Sequence, residues 1–245
     1  MAYFQFLGTG PSTPITDASG RNYRRRSSAL MQHIATYALI DVTHDFEEQV
    51  DRALTVTAAM VTNGSRDAAG GLTTLDRWTE HRVGLYVTAE LWKELNERYG
   101  PFEKIDHKPI KAGRATALGD LHLTAFELPS GASDSGRANY GYHFDTGKRK
   151  VTYASDFKDI PSESEKYFSG NDLLIVDAAG WDKDLPTHRG ALNHLPEYIA
   201  AKNERIVFTH LGRSAPPHSL AENTIRQLAN AASVAYDFMK IPLGR

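Results

Sequence analysis

Apolar and polar residues alternate over Ala2–Leu7, and the alternation stops at Gly8-Thr9-Gly10-Pro11: a strand closed by a tight turn. Ser28–Met31 and Tyr37–Val42 carry the same pattern and pair as a hairpin. Phe46, Val50 and Ala53 recur at helical spacing, so Asp45–Ala53 reads as a helix. Ala58–Thr62 is a short buried strand that runs into polar Asn63–Asp67. Leu72–Glu80 reads as a helix and Val83–Val87 as a strand. Ala89–Tyr99 is an amphipathic helix ended by Gly100-Pro101.

The second half repeats the texture. Leu121–Leu128, Tyr140–Phe144, Val151–Ala154 and Leu173–Val176 read as strands. A helix over Leu195–Lys202 precedes the strand Arg205–His210. Leu220–Ala231 is the last helix and Ala235–Ile241 the last strand. Strands clustered in each half with helices between them predict an α+β protein with two sheets face to face and helices outside. With no low-complexity tract or linker, residues 1–245 form a single domain in this reading.

Composition narrows the chemistry. Apolar residues make up 41% and charged residues 24% of 245, the balance of an ordinary globular protein. A net charge of −2 gives no global attraction for nucleic acid or anionic membrane. Cysteine is absent, so any metal must rest on His, Asp and Glu. No signal peptide or membrane-length apolar run is present, and a cytoplasmic location is expected. Gly8-Thr9-Gly10 is too short for a phosphate-binding glycine loop, and no Gly-x-Ser-x-Gly elbow occurs.

Three apolar runs end abruptly in polar residues: Ala58–Thr62 before Asp67, Val151–Ala154 before Asp156, and Ile206–Thr209 before His210. Strand ends are rigid platforms for sites. Asp67, Asp156 and His210 suit zinc, manganese or iron. Each could instead be a turn-forming Asp or a hydrogen-bonded His. Arg24-Arg25-Arg26 offers forks suited to phosphate oxygens, although a solvated or salt-bridging face is the plainer reading.

Taken in order, Phe6-Leu7-Gly8-Thr9-Gly10, Arg25-Arg26-Ser27-Ser28, Leu39-Ile40-Asp41, Val151–Asp156, Asp172–Asp177 with Thr187-His188, and Phe208-Thr209-His210 resemble the metallo-β-lactamase superfamily. The likeness is greatest to the branch of ribonuclease Z and the cyclic phosphodiesterases. Arg66–Leu72, Gly212–His218 and Ala235–Met239 are similar to further motifs of that branch. The resemblance implies an αββα four-layer sandwich and a metal-dependent hydrolase acting on a phosphodiester or other ester. By position it implies Asp67, Asp156 and His210 as metal ligands, Asp67 also in catalysis, and His188 as general acid.

The departures are equally specific. The family's Thr-His-x-His-x-Asp-His is Thr62-Asn63-Gly64-Ser65-Arg66-Asp67-Ala68 here, and its next histidine falls at Ser130. A degenerate site is therefore expected, holding one divalent metal (zinc, manganese or iron) or none. Asn63, Ser65, Ser130 and His218 would then contact substrate, and His44 is a substitute ligand to consider. The alternative is an inactive member that binds a small molecule or a protein. The expected partner is a small-molecule substrate or ligand rather than nucleic acid or membrane, and a homodimer would suit a protein of this size.

Overall fold

A computed structural model describes residues 2–130 and 138–244. Among them, fourteen strands form two seven-stranded sheets. The first sheet runs β14 (Lys240–Pro242), β1 (Tyr3–Gly8), β2 (Ser28–His33), β3 (Thr36–Ile40), β4 (Ala58–Met60), β5 (Val83–Val87), β6 (Ile105–Pro109). The second runs β13 (Ala232–Val234), β12 (Ile206–Thr209), β11 (Leu173–Asp177), β10 (Lys150–Ala154), β9 (Tyr140–Asp145), β8 (Leu121–Glu127), β7 (Thr116–Leu118). Helices α1 (Phe46–Gln49), α2 (Arg66–Ala69), α3 (Leu72–Trp78) and α4 (Ala89–Tyr99) belong to the first half. Helices α5 (Ser162–Glu165), α6 (Ala191–Ala200) and α7 (His218–Leu228) belong to the second.

The period of two along buried strands explains the layering. Leu173 and Ile175 of β11 join the core shared by both sheets, whereas Leu174 and Val176 join the core beneath α6 and α7. Val207 likewise faces the other sheet, while Ile206 and Phe208 face the helices. Leu72, Leu75, Leu91 and Leu95 pack α3 and α4 onto the first sheet. The result is the expected αββα sandwich. Among the described residues, no helix is long and apolar enough to cross a membrane.

Strand direction builds one edge of the molecule into a platform. β3 and β4 are parallel, as are β10, β11 and β12, so their C-terminal ends lie side by side within each sheet. Across the gap, Tyr142 Oη donates to Val61 O at 2.6 Å and Tyr140 N to Thr62 O at 2.8 Å. These bonds clamp the two sheets where β4 ends. On the same side Gly8 meets the Arg26 carbonyl so closely that an added Cβ would lie 2.1 Å from it, which requires glycine.

Several elements differ from the sequence pattern. Of the predicted strand Ala235–Ile241, only Lys240 and Ile241 are strand, in β14; residues 235–239 link β13 to β14, which lie in different sheets. Asp237, within that link, accepts from Thr9 N (3.0 Å), Thr9 Oγ1 (2.8 Å) and Arg25 N (2.8 Å), and Phe238 adopts φ +65°. Helix α1 stops at Gln49 because Val50 is extended and Asp51 then caps Ala53 N at 2.9 Å. Helix α6 begins at Ala191 and continues through Pro196, whose missing N–H forgoes a single ladder bond. Helix α7 begins at His218 and ends at Leu228, short of Ala231.

Candidate metal centre

Asp156 follows β10, His210 follows β12, and Asp41 follows β3. All three take left-handed backbone, with φ of +57°, +57° and +60°. Such conformations cost roughly 1–3 kcal/mol in a non-glycine residue and persist only when their surroundings enforce them. At Asp41 the enforcement is visible. Its N–H donates to Met60 O at 2.9 Å, and its Oδ1 accepts from Thr62 N (2.7 Å) and Thr62 Oγ1 (3.0 Å).

Asp177 ends β11 and is 2% exposed. Its Oδ2 accepts Asp156 N at 2.6 Å and His210 Nδ1 at 2.7 Å, and its Oδ1 accepts Ala179 N at 2.8 Å. His188 approaches from the loop before α6, with Nδ1 3.3 Å from Asp177 Oδ2 and 3.7 Å from Asp156 Oδ1. The first contact does not have hydrogen-bond geometry and the second is too long, so His188 Nδ1 is buried without a hydrogen-bond partner. The His188 and His210 rings stand 5.3 Å apart. Asp156, His188 and His210 each bring a ligand atom within 4.8 Å of the others.

The electrostatics reflect a crowd of acids beside two imidazoles. Burial pushes the Asp156 carboxyl up to about 6, against the pull of His210 and His188. Burial pushes Asp41 up to about 8, against the Thr62 hydrogen bonds. Burial would also raise Asp177, yet His210 and His188 hold it well below the usual carboxylate range. Burial would lower His210, but Asp177 raises it to about 9 by charge and hydrogen bond.

The sequence-derived residues fall into place unevenly. Asp41, Asn63, Asp67, Asp156 and His210 line one narrow pocket, with room for roughly one water. Asp67 comes from α2, and its oxygens lie outside the 4.8 Å group, where His188 stands instead. Neither neighbouring arginine neutralises Asp67: Arg66 Nε donates to His44 Nε2 at 3.2 Å, and Arg213 lies 3.6 Å from Asp17. His44 is thereby engaged with Arg66, away from the ligand group. Asn63 Nδ2 donates to Asp156 Oδ2 and to Asn139 Oδ1, both at 3.1 Å, while Asn139 Nδ2 holds Asp156 O at 2.8 Å. The amide at position 63 thus occupies Asp156 Oδ2. Ser65 gives its N–H to Asn63 Oδ1 at 2.9 Å and buries an unpaired Oγ. Ser130 is buried beside Pro129 and is absent from the pocket wall, as is His218 at the start of α7.

The pivotal acceptor Asp177 lies within the Asp172–Asp177 segment but carries no role in the sequence reading. The available signal was an acid ending a wholly apolar strand, Leu173-Leu174-Ile175-Val176-Asp177, where an unpaired carboxylate would be expensive.

Residues 36–211 match the family described as the beta-lactamase superfamily domain, and the chain belongs to that superfamily. Its structure is similar to that of a diphosphatase from the PhnP family, at 26% identity and a TM-score of 0.84, covering 100% of this chain and 98% of the other. Zinc-bound PqqB from Methylobacterium extorquens has a TM-score of 0.78 at 16% identity, covering 98% and 100% of the two chains. The short form of human tRNase Z has a TM-score of 0.72 at 15% identity, covering 99% and 100%. These last two likenesses are of fold alone. No curated protein matches the sequence.

Proposed function

We propose that the protein is a phosphoester or phosphoanhydride hydrolase working with one divalent cation held by Asp156, His188 and His210. The observation that carries this reading is His188 Nδ1, buried without a hydrogen-bond partner among the oxygens of Asp156 and Asp177. Two imidazoles and a carboxylate are the composition of a facial triad with open positions. Asp177 is the outer carboxylate that fixes the His210 ring through Nδ1, leaving Nε2 for a ligand. A cation would also relieve the repulsion among Asp41, Asp67 and Asp156.

When bound, such a cation supplies Lewis acidity and a more acidic water. Asp67, facing the pocket without an arginine partner, would orient that water and accept its proton. The chemical class of substrate rests on the 26% identity to a diphosphatase along the whole chain. His188 serves here as a ligand in place of the general-acid role its sequence position implies.

A second reading, a binding module without catalysis, draws on Asn63. Its amide donates to Asp156 Oδ2 and removes that oxygen from any second cation. Elemental analysis of protein purified without chelator, beside Asp156→Ala, separates the two. About one metal per chain in the native protein, lost in the variant, supports the hydrolase. Zinc, manganese and iron all well below one per chain in the native protein would leave the binding module.

A further inference from the structure

Arg24 is 3% exposed, and its Nε has no hydrogen-bond partner. Its backbone is pinned to Ile15 by paired bonds of 3.0 and 2.9 Å, so the side chain does not reach its position by drifting. Its neighbours in sequence are neutralised: Arg25 by Glu48 at 3.2 Å and Asp237 at 3.5 Å, Arg26 by Asp45 at 2.6 Å. The nearby acid Asp237 is committed to Thr9 and Arg25. A buried guanidinium lacking an ion pair is costly, and its retention calls for a counter-ion.

Arg24 lines a cavity of about 370 Å³ together with Asn22, Arg213, Asp17, Pro216 and Pro217. Among the described residues, exposed Arg213 is held only by exposed Asp17 at 3.6 Å. Beside this cavity His218 is 5% exposed with Nδ1 unpartnered, and burial together with Arg21 and Arg24 keeps its imidazole below the ordinary value. Arg21 lies 4.2 Å over the Tyr236 ring, against which His218 also packs. Two arginines and one aspartate line the cavity, with a third arginine nearby. The excess positive charge suits a dianion, and guanidinium forks match phosphoryl oxygens in pairs.

We propose that this cavity is an anion site that binds the phosphoryl group of a small phosphorylated molecule, with Arg24 as its buried anchor and Arg213 as its outer clamp. The site is distinct from the Asp156–His188–His210 centre and stands whether or not that centre hydrolyses anything. Arg213 leaves Asp17 for the ligand, and the ligand supplies the missing partner of Arg24.

The test is calorimetric titration, in chelator so that the Asp156 centre holds no cation, of the full chain and its Asp156→Ala variant with inorganic pyrophosphate and, in parallel, a ribose phosphate. Saturable binding near one per chain, equal in both proteins, is expected. Arg213→Ala should weaken it by about 10-fold or more, the loss of one charged hydrogen-bonding group. Arg24→Met should abolish it, while the unliganded variant melts no lower than the native protein because an unpaired buried charge has gone. Tighter binding of the ribose phosphate supports an organic ligand, and equal or tighter binding of pyrophosphate supports the inorganic anion. Absence of saturable binding, its loss in Asp156→Ala, or its survival in folded Arg24→Met would overturn the proposal. If Arg24→Met fails to fold, unchanged affinity in Arg213→Ala overturns it instead.

Discussion

Asp177 and His210 lie at the ends of adjacent parallel strands, and a single oxygen of the aspartate, 2.7 Å from His210 Nδ1, also accepts the N–H of Asp156 at 2.6 Å. One buried carboxylate therefore sets both the orientation of an imidazole and the path of a neighbouring strand end. Replacing it keeps the shape of the strand but removes the charge that both depend on. Asp177→Asn should lower unfolding free energy by about 3 kcal/mol, the range for breaking a buried charged pair. Urea denaturation measures it, and a loss below about 1 kcal/mol would show the pair to be dispensable.

Asn63, just beyond β4 of the first sheet, bridges the sheets by donating to Asp156 and Asn139, which flank β10 and β9 of the second. Asn63→Asp places a carboxylate where the amide donated, so it should destabilise the protein by roughly 1–3 kcal/mol in chelator. Added zinc or manganese should restore the melting temperature in this variant more than in the native chain. A variant indifferent to metal would count against a cation position on this side of Asp156.

Asp76 of α3 shows how the first half is tied together away from the site. Its Oδ1 accepts the N–H groups of Glu103, Lys104 and Ile105 at 3.1, 2.7 and 3.1 Å, at the entry to β6. Asp76→Ala leaves these donors without their acceptor and should cost about 2–4 kcal/mol. Asp76→Asn, which retains one acceptor oxygen, should cost less. Equal losses in thermal melts would refute the role of the retained acceptor oxygen.

His143 supplies a pH dependence remote from the centre. Burial, with Lys150 adding to it against Asp145, pulls its imidazole down to about 4, and its Nδ1 stands 2.8 Å from Thr152 Oγ1. The unfolded chain binds this proton first as pH falls, near the ordinary value of about 6.5. The stability contribution is complete above that pH and declines until about 4, by on the order of 2–3 kcal/mol. His143→Gln should flatten this part of the curve, and an unchanged slope in denaturant melts from pH 7 to 4 would disprove it.

What the sequence made legible follows from how local each signal is. Val83–Val87 and Ala89–Tyr99 appear with the bounds that the pattern predicts, because a continuous apolar run and a Thr88 side-chain cap on Leu91 N are local. Strand β6, Ile105-Asp106-His107-Lys108-Pro109, has no such run. It is an edge strand whose exposed side carries charge, the usual defence against pairing with other chains. Asp156 and His210 were readable as polar residues ending apolar strands. Which residue completes the group was not, since Asp67 and His188 lie about 120 residues apart and only the packed sheets bring both near Asp156. The link at residues 235–239 was equally hidden, because Asp237 is held there by Thr9 and Arg25 from the other end of the chain.

The left-handed residues Asp41, Asp156 and His210 have a consequence for the history of such a protein. Because the main chain turns sharply at each position, the direction of the side chain is set at the strand ends, by the turn and by the neighbours that hold it. Imidazoles can be exchanged for Asn63, Ser65 and Ala68 while the frame that aims the remaining donors stays strained in the same way. Loss and regain of a ligand then become changes of side chain on an unchanged mount, each reachable without refolding the sheets.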